Sequence, residues 1–184
     1  MSRTICTKKP PMPLSVKDAY RYCPRCGELF SSHSDIVNAC KACGLHLYLS
    51  PKPCTTILLF NDEGKLLLTK RGIEPKKGYW DVPGGFCEVG ESIEETAIRE
   101  SREELHVEIH VDAFLNSIPD VYEYQGIVYP ILPTGIVAHI TSGTPQPDDD
   151  VESFAFFTVD EALELDLAFA SSHKSLREYL ETIK

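Results

Sequence analysis

Carboxylates gather in the stretch GGFCEVGESIEETAIRESREELHV, residues 84–107. On a helical wheel that turns roughly 100° per residue, Glu100, Glu103 and Glu104 fall on one narrow face. Like charges three and four residues apart oppose helix formation, and a charge run of this kind is typical of a solvated face. Here a Gly-Gly turn and a capped helix frame the three carboxylates. This combination indicates a site for a hard cation such as Mg²⁺ or Mn²⁺.

Cysteines form the second set of residues with chemical potential. Two CxxC pairs are separated by thirteen residues and consist of Cys23, Cys26, Cys40 and Cys43. Two residues between thiolates let a tight turn direct both sulfurs at one ion, and a glycine follows each pair. The spacing predicts a closed tetrahedral Zn²⁺ site, which stabilises a fold and has no open position for catalysis. The remaining cysteines lack such spacing and are expected to be free thiols: Cys6, Cys54 and Cys87.

Short apolar segments and amphipathic segments must position these groups. Ser92, followed three residues later by Glu95, is a capping-box signature for a helix at 92–105. Further helices are predicted at 159–165 and at 171–184, the last with a serine cap. Strands are predicted at 54–60, 65–71, 79–82, 107–115, 127–140 and 154–157. Strands dominate, with a few helices packed on them, so the expected class is an α/β or α+β layered sandwich.

Three regions are expected along the chain. Residues 1–20 contain three prolines without periodicity and are interpreted as a tail. Residues 21–50 would form the zinc ribbon, and SPKP at 50–53 is a plausible hinge because proline disfavours helix and pushes its predecessor toward extended backbone. Residues 51–184 would form the main domain.

Charge and composition limit the partners. The 184 residues carry 18 basic and 28 acidic side chains, a formal net charge of −10. This balance argues against a nucleic-acid partner gripped through its phosphates, which requires an excess of Lys and Arg. No stretch has the length of a signal peptide or of a membrane span, and seven cysteines is an odd number, so a cytoplasmic protein with no membrane partner is expected. Self-association into a homodimer stays open.

The acidic stretch closely resembles the Nudix box, Gly–x5–Glu–x7–Arg–Glu–U–x–Glu–Glu–x–Gly–U, where U is a bulky aliphatic residue. Gly85 opens the match and Val107 closes it, and the resemblance extends less specifically over 54–165. Two positions depart from the pattern: Ser101 replaces an aliphatic residue, and His106 replaces the glycine that normally ends the helix. The resemblance implies a Nudix α/β/α sandwich with a mixed sheet, preceded here by the small zinc ribbon.

The resemblance also implies residue roles in a pyrophosphohydrolase. The Mg²⁺ or Mn²⁺ ligands would be the Gly84 carbonyl, Glu100, Glu103 and Glu104. Arg99 would orient the carboxylates, and Glu91 would support the turn into the helix or a metal-bound water. The general base is a box glutamate or a carboxylate of the later loop, where the candidates are Asp149, Asp150 and Glu152.

The implied substrate is a nucleotide-derived small molecule, a nucleoside diphosphate linked to another moiety. A zinc ribbon ahead of the box resembles the NADH pyrophosphatase group, whose downstream motif is absent here, and ADP-ribose is the first candidate. Substrate contacts are predicted at Asp150, at Glu152, and at Tyr122 and Tyr124 in a loop. Two alternatives stay open: a (d)NTP pyrophosphohydrolase, and a nucleotide-sensing module that binds nucleic acid or protein through its ribbon.

Overall fold

The computed structural model describes residues 12–183. Its contacts divide the chain into two compact units. The first contains the described residues up to Ser50 together with Val121–Tyr129, and the second contains Pro51–Asp120 and the described residues from Pro130 onward. The predicted free thiol Cys6 lies outside the described residues.

The first unit is built from short elements. They are β1 (Leu14–Ser15), α1 (Val16–Ala19), β2 (Ser32–His33), β3 (Val37–Ala39), β4 (His46–Tyr48), most of β9 (Asp120–Tyr124) and the start of β10 (Ile127–Ser142). Strands β2, β3 and β4 form an antiparallel sheet, and β1 pairs in parallel with β10 through Leu14 and Ile127. A small core contains Cys23, Phe30 and Cys40.

Residues 14–19 are therefore part of the first unit. The tail that the proline-rich sequence predicts is wrong for these residues. Ser15 caps α1 by accepting a hydrogen bond from the amide of Asp18, and the Leu14 amide donates to the Gly126 carbonyl at 2.8 Å. The buried Asn38 side chain donates to the Tyr20 carbonyl at 2.9 Å. A four-residue helix is too short to produce a periodic pattern, so these tertiary contacts define a segment that sequence patterning cannot detect.

The second unit is a mixed sheet with helices on both faces. Its elements are β5 (Lys52–Phe60), β6 (Leu66–Arg71), β7 (Trp80–Asp81), α2 (Ile93–Leu105), β8 (Glu108–Ser117), the rest of β10, β11 (Val151–Phe157), α3 (Val159–Leu163) and α4 (Ala170–Thr182). The strand order is β8-β10-β5-β6-β11, with β7 on β6; only β10 and β5 run in parallel within this unit.

Alternate residues of β5 pack on opposite faces of the sheet. Ile57 and Leu59 contact the core beneath α2, whereas Leu58 lies in the core that contains Ala162 of α3 and Leu176 of α4. A strand covered on both faces is continuously apolar, which explains the run TTILLF. The predicted α/β/α sandwich with a mixed sheet is confirmed.

Two local predictions are wrong. Tyr122 and Tyr124 lie on strand β9 and not in a loop, because Gln125 and Gly126 take positive φ angles of 50° and 77° and close a hairpin onto β10. Helix α4 starts at Ala170 without a serine cap. The amide of Ser171 donates instead to the distant Asp120 carboxylate at 2.9 Å.

Candidate active site

Helix α2 carries the acidic residues and is defined at both ends by its own side chains. Ser92 Oγ accepts from the Glu95 amide at 3.1 Å, and the Glu95 carboxylate accepts from the Ser92 amide at 2.8 Å. Ala97 and Leu105 are fully buried against the sheet. His106 ends the helix in the left-handed conformation, with φ of 55°. The predicted capping box is present, and it defines where the helix that carries the carboxylates begins.

The Gly84-Gly85 turn meets two of these carboxylates. The Gly84 amide donates to Glu104 Oε2 at 3.2 Å, and a Cβ atom on Gly85 would overlap the Glu100 carboxylate. A cleft of about 330 Å³ opens at this point, and Asp150 also lines it. A side chain at position 85 would therefore displace the Glu100 carboxylate from its place in the cleft.

The cleft concentrates negative charge that Arg99 neutralises only in part. Glu104 is 6% exposed, and burial raises its pKa well above the ordinary value, with further increases from Asp150 and Glu100. Burial also raises the pKa of Glu100, although Arg99 opposes this shift. A buried glutamate without a basic partner, next to a second carboxylate and a backbone turn, fits a hard divalent cation with oxygen ligands. The residues present therefore suit Mg²⁺ or Mn²⁺.

Arg99 organises the remaining carboxylates. Its guanidinium donates to both oxygens of Glu91 at 2.7 and 3.0 Å, to Glu100 at 2.8 Å and to Glu103 at 2.9 Å. The Arg99 hydrogen bonds and the Glu88 amide lower the pKa of Glu91 to about 2. Glu91 is thus an anion that links the turn at Glu88 to Arg99 of α2, and its supporting role stays a prediction. Glu103 is half exposed and is not among the residues that line the cleft.

The loop between β10 and β11 brings further acids to the cleft. Asp149 and Asp150 line it, whereas Glu152 lies on β11, where its carboxylate is 3.5 Å from Lys70 Nζ. Asp148 has a lowered pKa because its carboxylate accepts from the Asp149 amide and from His106. Of the three predicted general-base candidates on this loop, the structure brings Asp149 and Asp150 together with the box glutamates.

The four cysteines of the first unit converge on one point. The Sγ atoms of Cys23, Cys26, Cys40 and Cys43 all lie within 4.8 Å of one another. Two Sγ pairs are separated by 3.6 Å, close to the edge of roughly 3.8 Å for a tetrahedron of thiolates 2.3 Å from zinc. Among residues 12–183 this is the one group of three or more His, Cys, Asp or Glu ligand atoms that are so close together. The cluster could hold a metal ion, and its geometry suits zinc.

Comparison with known proteins identifies the family of this chain. The model of the NUDIX domain family matches residues 50–180. The chain belongs to the NUDIX family. The match includes the Gly-Gly turn, α2 and the β10–β11 loop, so every residue of the acidic cleft lies within the NUDIX domain.

Three similar proteins illustrate the range of the family. The NAD-capped RNA hydrolase NudC of Pseudomonas aeruginosa is 31% identical over 76% of this chain and 48% of its own length. The ADP-ribose pyrophosphatase of Methanocaldococcus jannaschii is 34% identical over 60% of this chain and 64% of its own. The crystal structure of a NUDIX hydrolase from Nitrosomonas europaea superposes with a TM-score of 0.67 at 25% identity, covering 88% of this chain and 90% of that one. The chain spans about half the length of the NudC proteins that it matches.

The two tyrosines among the predicted substrate-contact residues do not line the acidic cleft. Tyr122 and Tyr124 belong to the first unit, where their ring centroids are 6.4 Å apart, so their substrate contacts stay a prediction. Within the described range, no helix is both long and apolar enough to cross a bilayer.

Asp81 is a buried acid of the NUDIX domain that sequence reasoning missed. Burial raises its pKa from 3.8 to about 7, against the opposing effects of hydrogen bonds from Ser172 and from the Val82 amide. The available signal was an acidic residue within the otherwise apolar segment YWDV.

Proposed function

We propose that this chain is a divalent-metal-dependent pyrophosphohydrolase. It would cleave the diphosphate bond of a nucleoside diphosphate linked to another moiety and release a nucleoside monophosphate. The observation that carries the proposal is the meeting of Glu100, Glu104 and Asp150 at one cleft beside the Gly84-Gly85 turn. Family membership and the names of the relatives support the reaction class.

Box residues would hold the cation. Glu100 and Glu104 offer carboxylates at the cleft, the Gly84 carbonyl is adjacent, and Glu103 would join them by leaving its contact with Arg99. When bound, Mg²⁺ or Mn²⁺ neutralises diphosphate charge and lowers the pKa of water. The protein residues would hold these oxygens at the cleft and would hold the diphosphate in line for attack.

Arg99 and the β10–β11 loop would complete the machinery. Arg99 restrains Glu91, Glu100 and Glu103 through one rigid guanidinium, which fixes their orientation better than a flexible lysine would. Asp150 is our candidate to accept the proton of the attacking water, because it lines the cleft beside Glu104. Glu152 is a weaker candidate because it contacts Lys70.

ADP-ribose is the proposed first substrate. One relative is an ADP-ribose pyrophosphatase with 34% identity, and others act on NAD-capped RNA. NADH and other NAD-like dinucleotides are the next candidates, since they contain the same ADP portion. The four cysteines would bind Zn²⁺ in a structural role, because four thiolates leave no open coordination position.

A substrate panel tests the proposal. The protein is incubated with Mg²⁺ or Mn²⁺ and with ADP-ribose, NADH, a dinucleoside polyphosphate or a dNTP, and products are identified by mass spectrometry. We expect AMP from ADP-ribose, with at least about a 100-fold loss of rate in Glu104→Gln. Glu181→Gln removes an exposed carboxylate near the end of α4 and is the matched control. Absence of turnover with every substrate, or full activity in Glu104→Gln, would refute the proposal. Turnover of the dNTP alone would favour the (d)NTP pyrophosphohydrolase.

A further inference from the structure

The loop between β10 and β11 is docked on the C-terminal end of α2. The last carbonyls of a helix have no partner within the helix. Here the Asp148 amide donates to the Glu104 carbonyl and the Gln146 amide donates to the Leu105 carbonyl, both at 3.0 Å. The main chain of Glu104 thus binds the loop, while its side chain lies in the cleft.

His106 adds a side-chain contact at the same junction. It occupies a left-handed conformation that glycine adopts at lower cost, so a histidine here gives up some stability. Its Nε2 donates to Asp148 Oδ2 at 2.8 Å. The Nudix pattern has glycine at this position, which offers no side chain for such a bond. The contact is therefore a feature of this chain.

Asp148 uses all of its polar groups in this junction. Its amide binds the Glu104 carbonyl, and its two carboxylate oxygens bind His106 and the Asp149 amide, the latter at 2.8 Å. Its carbonyl accepts from the Val151 amide at 3.0 Å. These four bonds fix the backbone on both sides of Asp150. A further anchor is the Asp150 carbonyl, which accepts from the Gly72 amide at 2.6 Å.

We propose that His106 and Asp148 are positioning residues, which hold the loop on α2 so that the Asp150 carboxylate faces Glu104 in the cleft. The inference rests on the proposed function, because it assigns these residues to the preorganisation of that cation site. Neither residue touches substrate or cation in this scheme. Both act through Asp150.

A structural role and a positioning role predict different behaviour for His106→Gly. The His106 and Asp148 side chains are 51% and 62% exposed, and exposed ion pairs contribute little to stability. Glycine adopts the left-handed conformation at lower cost than histidine, so the free energy of unfolding should be unchanged or higher. Loss of the side-chain bond should nevertheless loosen the loop and weaken cation binding. A purely structural residue would change stability and cation affinity in the same direction.

The test measures Mn²⁺ affinity by electron paramagnetic resonance without substrate, and amide hydrogen exchange over residues 146–150. His106→Gly, Asp148→Ala and the double variant are compared with the parent. We expect His106→Gly to bind Mn²⁺ about three- to tenfold more weakly, corresponding to one hydrogen bond. Asp148→Ala should bind Mn²⁺ at least as weakly, because it also removes the acceptor for the Asp149 amide. The double variant should bind Mn²⁺ no more weakly than Asp148→Ala, because His106 acts only through its bond to Asp148. Exchange at Gln146 and Asp148 should accelerate.

Two controls separate positioning from general surface effects. His106→Gln keeps a donor near the position of Nε2 and should restore most of the Mn²⁺ affinity. Asp112→Ala removes a matched His–Asp contact, 2.9 Å from His139 on β8 and β10, and should leave Mn²⁺ affinity and loop exchange unchanged. Where the substrate panel finds turnover, kcat should fall in His106→Gly at saturating Mn²⁺ with KM little changed.

The outcomes distinguish this inference from the function on which it rests. Parent-like Mn²⁺ affinity and loop exchange in His106→Gly and Asp148→Ala would overturn the positioning role and leave the hydrolase proposal intact. Additive losses in the double variant would also overturn it. A parent protein that binds no Mn²⁺ and hydrolyses no substrate would overturn both.

Discussion

Asp81 should make the stability of the protein depend on pH. It is 5% exposed on β7, and burial raises its pKa to about 7. Its carboxyl lies beside Ser172 of α4 and the amide of Val82. Asp81→Asn keeps the shape and an acceptor for the Val82 amide, but it removes the titration.

The direction of the pKa shift determines whether stability rises or falls with pH. Below about pH 4 both the folded and the unfolded chain hold the proton, so Asp81 contributes no dependence on pH there. As the pH rises toward 7, the unfolded chain releases its proton first, and the free energy of unfolding falls. Above the folded pKa both states are ionised and the loss is complete. Three pKa units at 1.36 kcal/mol each correspond to about 4 kcal/mol, of which about 2–3 kcal/mol falls between pH 5 and pH 8.

Urea unfolding at pH 5, 6, 7 and 8 measures this effect. The free energy of unfolding of Asp81→Asn minus that of the parent should rise by about 2–3 kcal/mol over the series, because only the parent carries the titrating carboxyl. Subtraction removes the groups that titrate in both proteins. Asp62→Asn, in the exposed β5–β6 turn, is the control for loss of one carboxylate. A difference for Asp81→Asn that does not change with pH would refute protonation of the folded group.

Three further predictions concern stability, cation binding and zinc. Ser101 Oγ is buried and has no hydrogen-bond partner within residues 12–183, so Ser101→Ala should raise the free energy of unfolding by about 1 kcal/mol; a lower urea midpoint would contradict this. Gly85→Ala should weaken Mn²⁺ binding at least about tenfold without unfolding the protein, because its Cβ would displace the Glu100 carboxylate; calorimetric titration showing parent affinity would argue against that overlap. Cys26→Ser should contain less zinc than the parent when measured by atomic emission, and its residues 12–50 should be cleaved more readily by protease. Retention of one zinc per chain with parent-like protease resistance would exclude the four-thiolate site.

Local patterns predict the NUDIX domain well because its main elements carry their own signals. The capping box at Ser92 and Glu95 sets the start of α2, and the continuous apolar run of β5 marks a strand buried on both faces. The alternation of strands and helices indicates the layers of the sandwich. Helix phase predicts one shared face for Glu100, Glu103 and Glu104, of which Glu100 and Glu104 line the cleft. These features depend on residues within a few positions of one another.

Contacts between distant residues explain what the sequence does not reveal. Asp148 meets His106 across 42 residues, and Asp120 binds the start of α4 across 51. The elevated pKa of Asp81 depends on burial under a helix that begins about 90 residues later. Strand β9 is polar and short, and its hairpin depends on a Gln-Gly turn without the usual asparagine or aspartate. No local pattern encodes such long-range contacts.

The charge arrangement of the cleft predicts that the proposed cation would bind before an anionic substrate. Arg99 is shared among Glu91, Glu100 and Glu103, so little of its charge remains for Glu104. Asp150 and Glu100 raise the pKa of Glu104, and Asp150 also raises the pKa of Glu100. A diphosphate entering the same cleft would meet repulsion from these carboxylates. Under the proposed function, a divalent cation would offset this repulsion, because it would stabilise the ionised carboxylates and present positive charge to the diphosphate. An anionic substrate in this acidic cleft would therefore depend on the metal, and the proposed role of His106 and Asp148 in holding Asp150 would help to set how tightly that metal is bound.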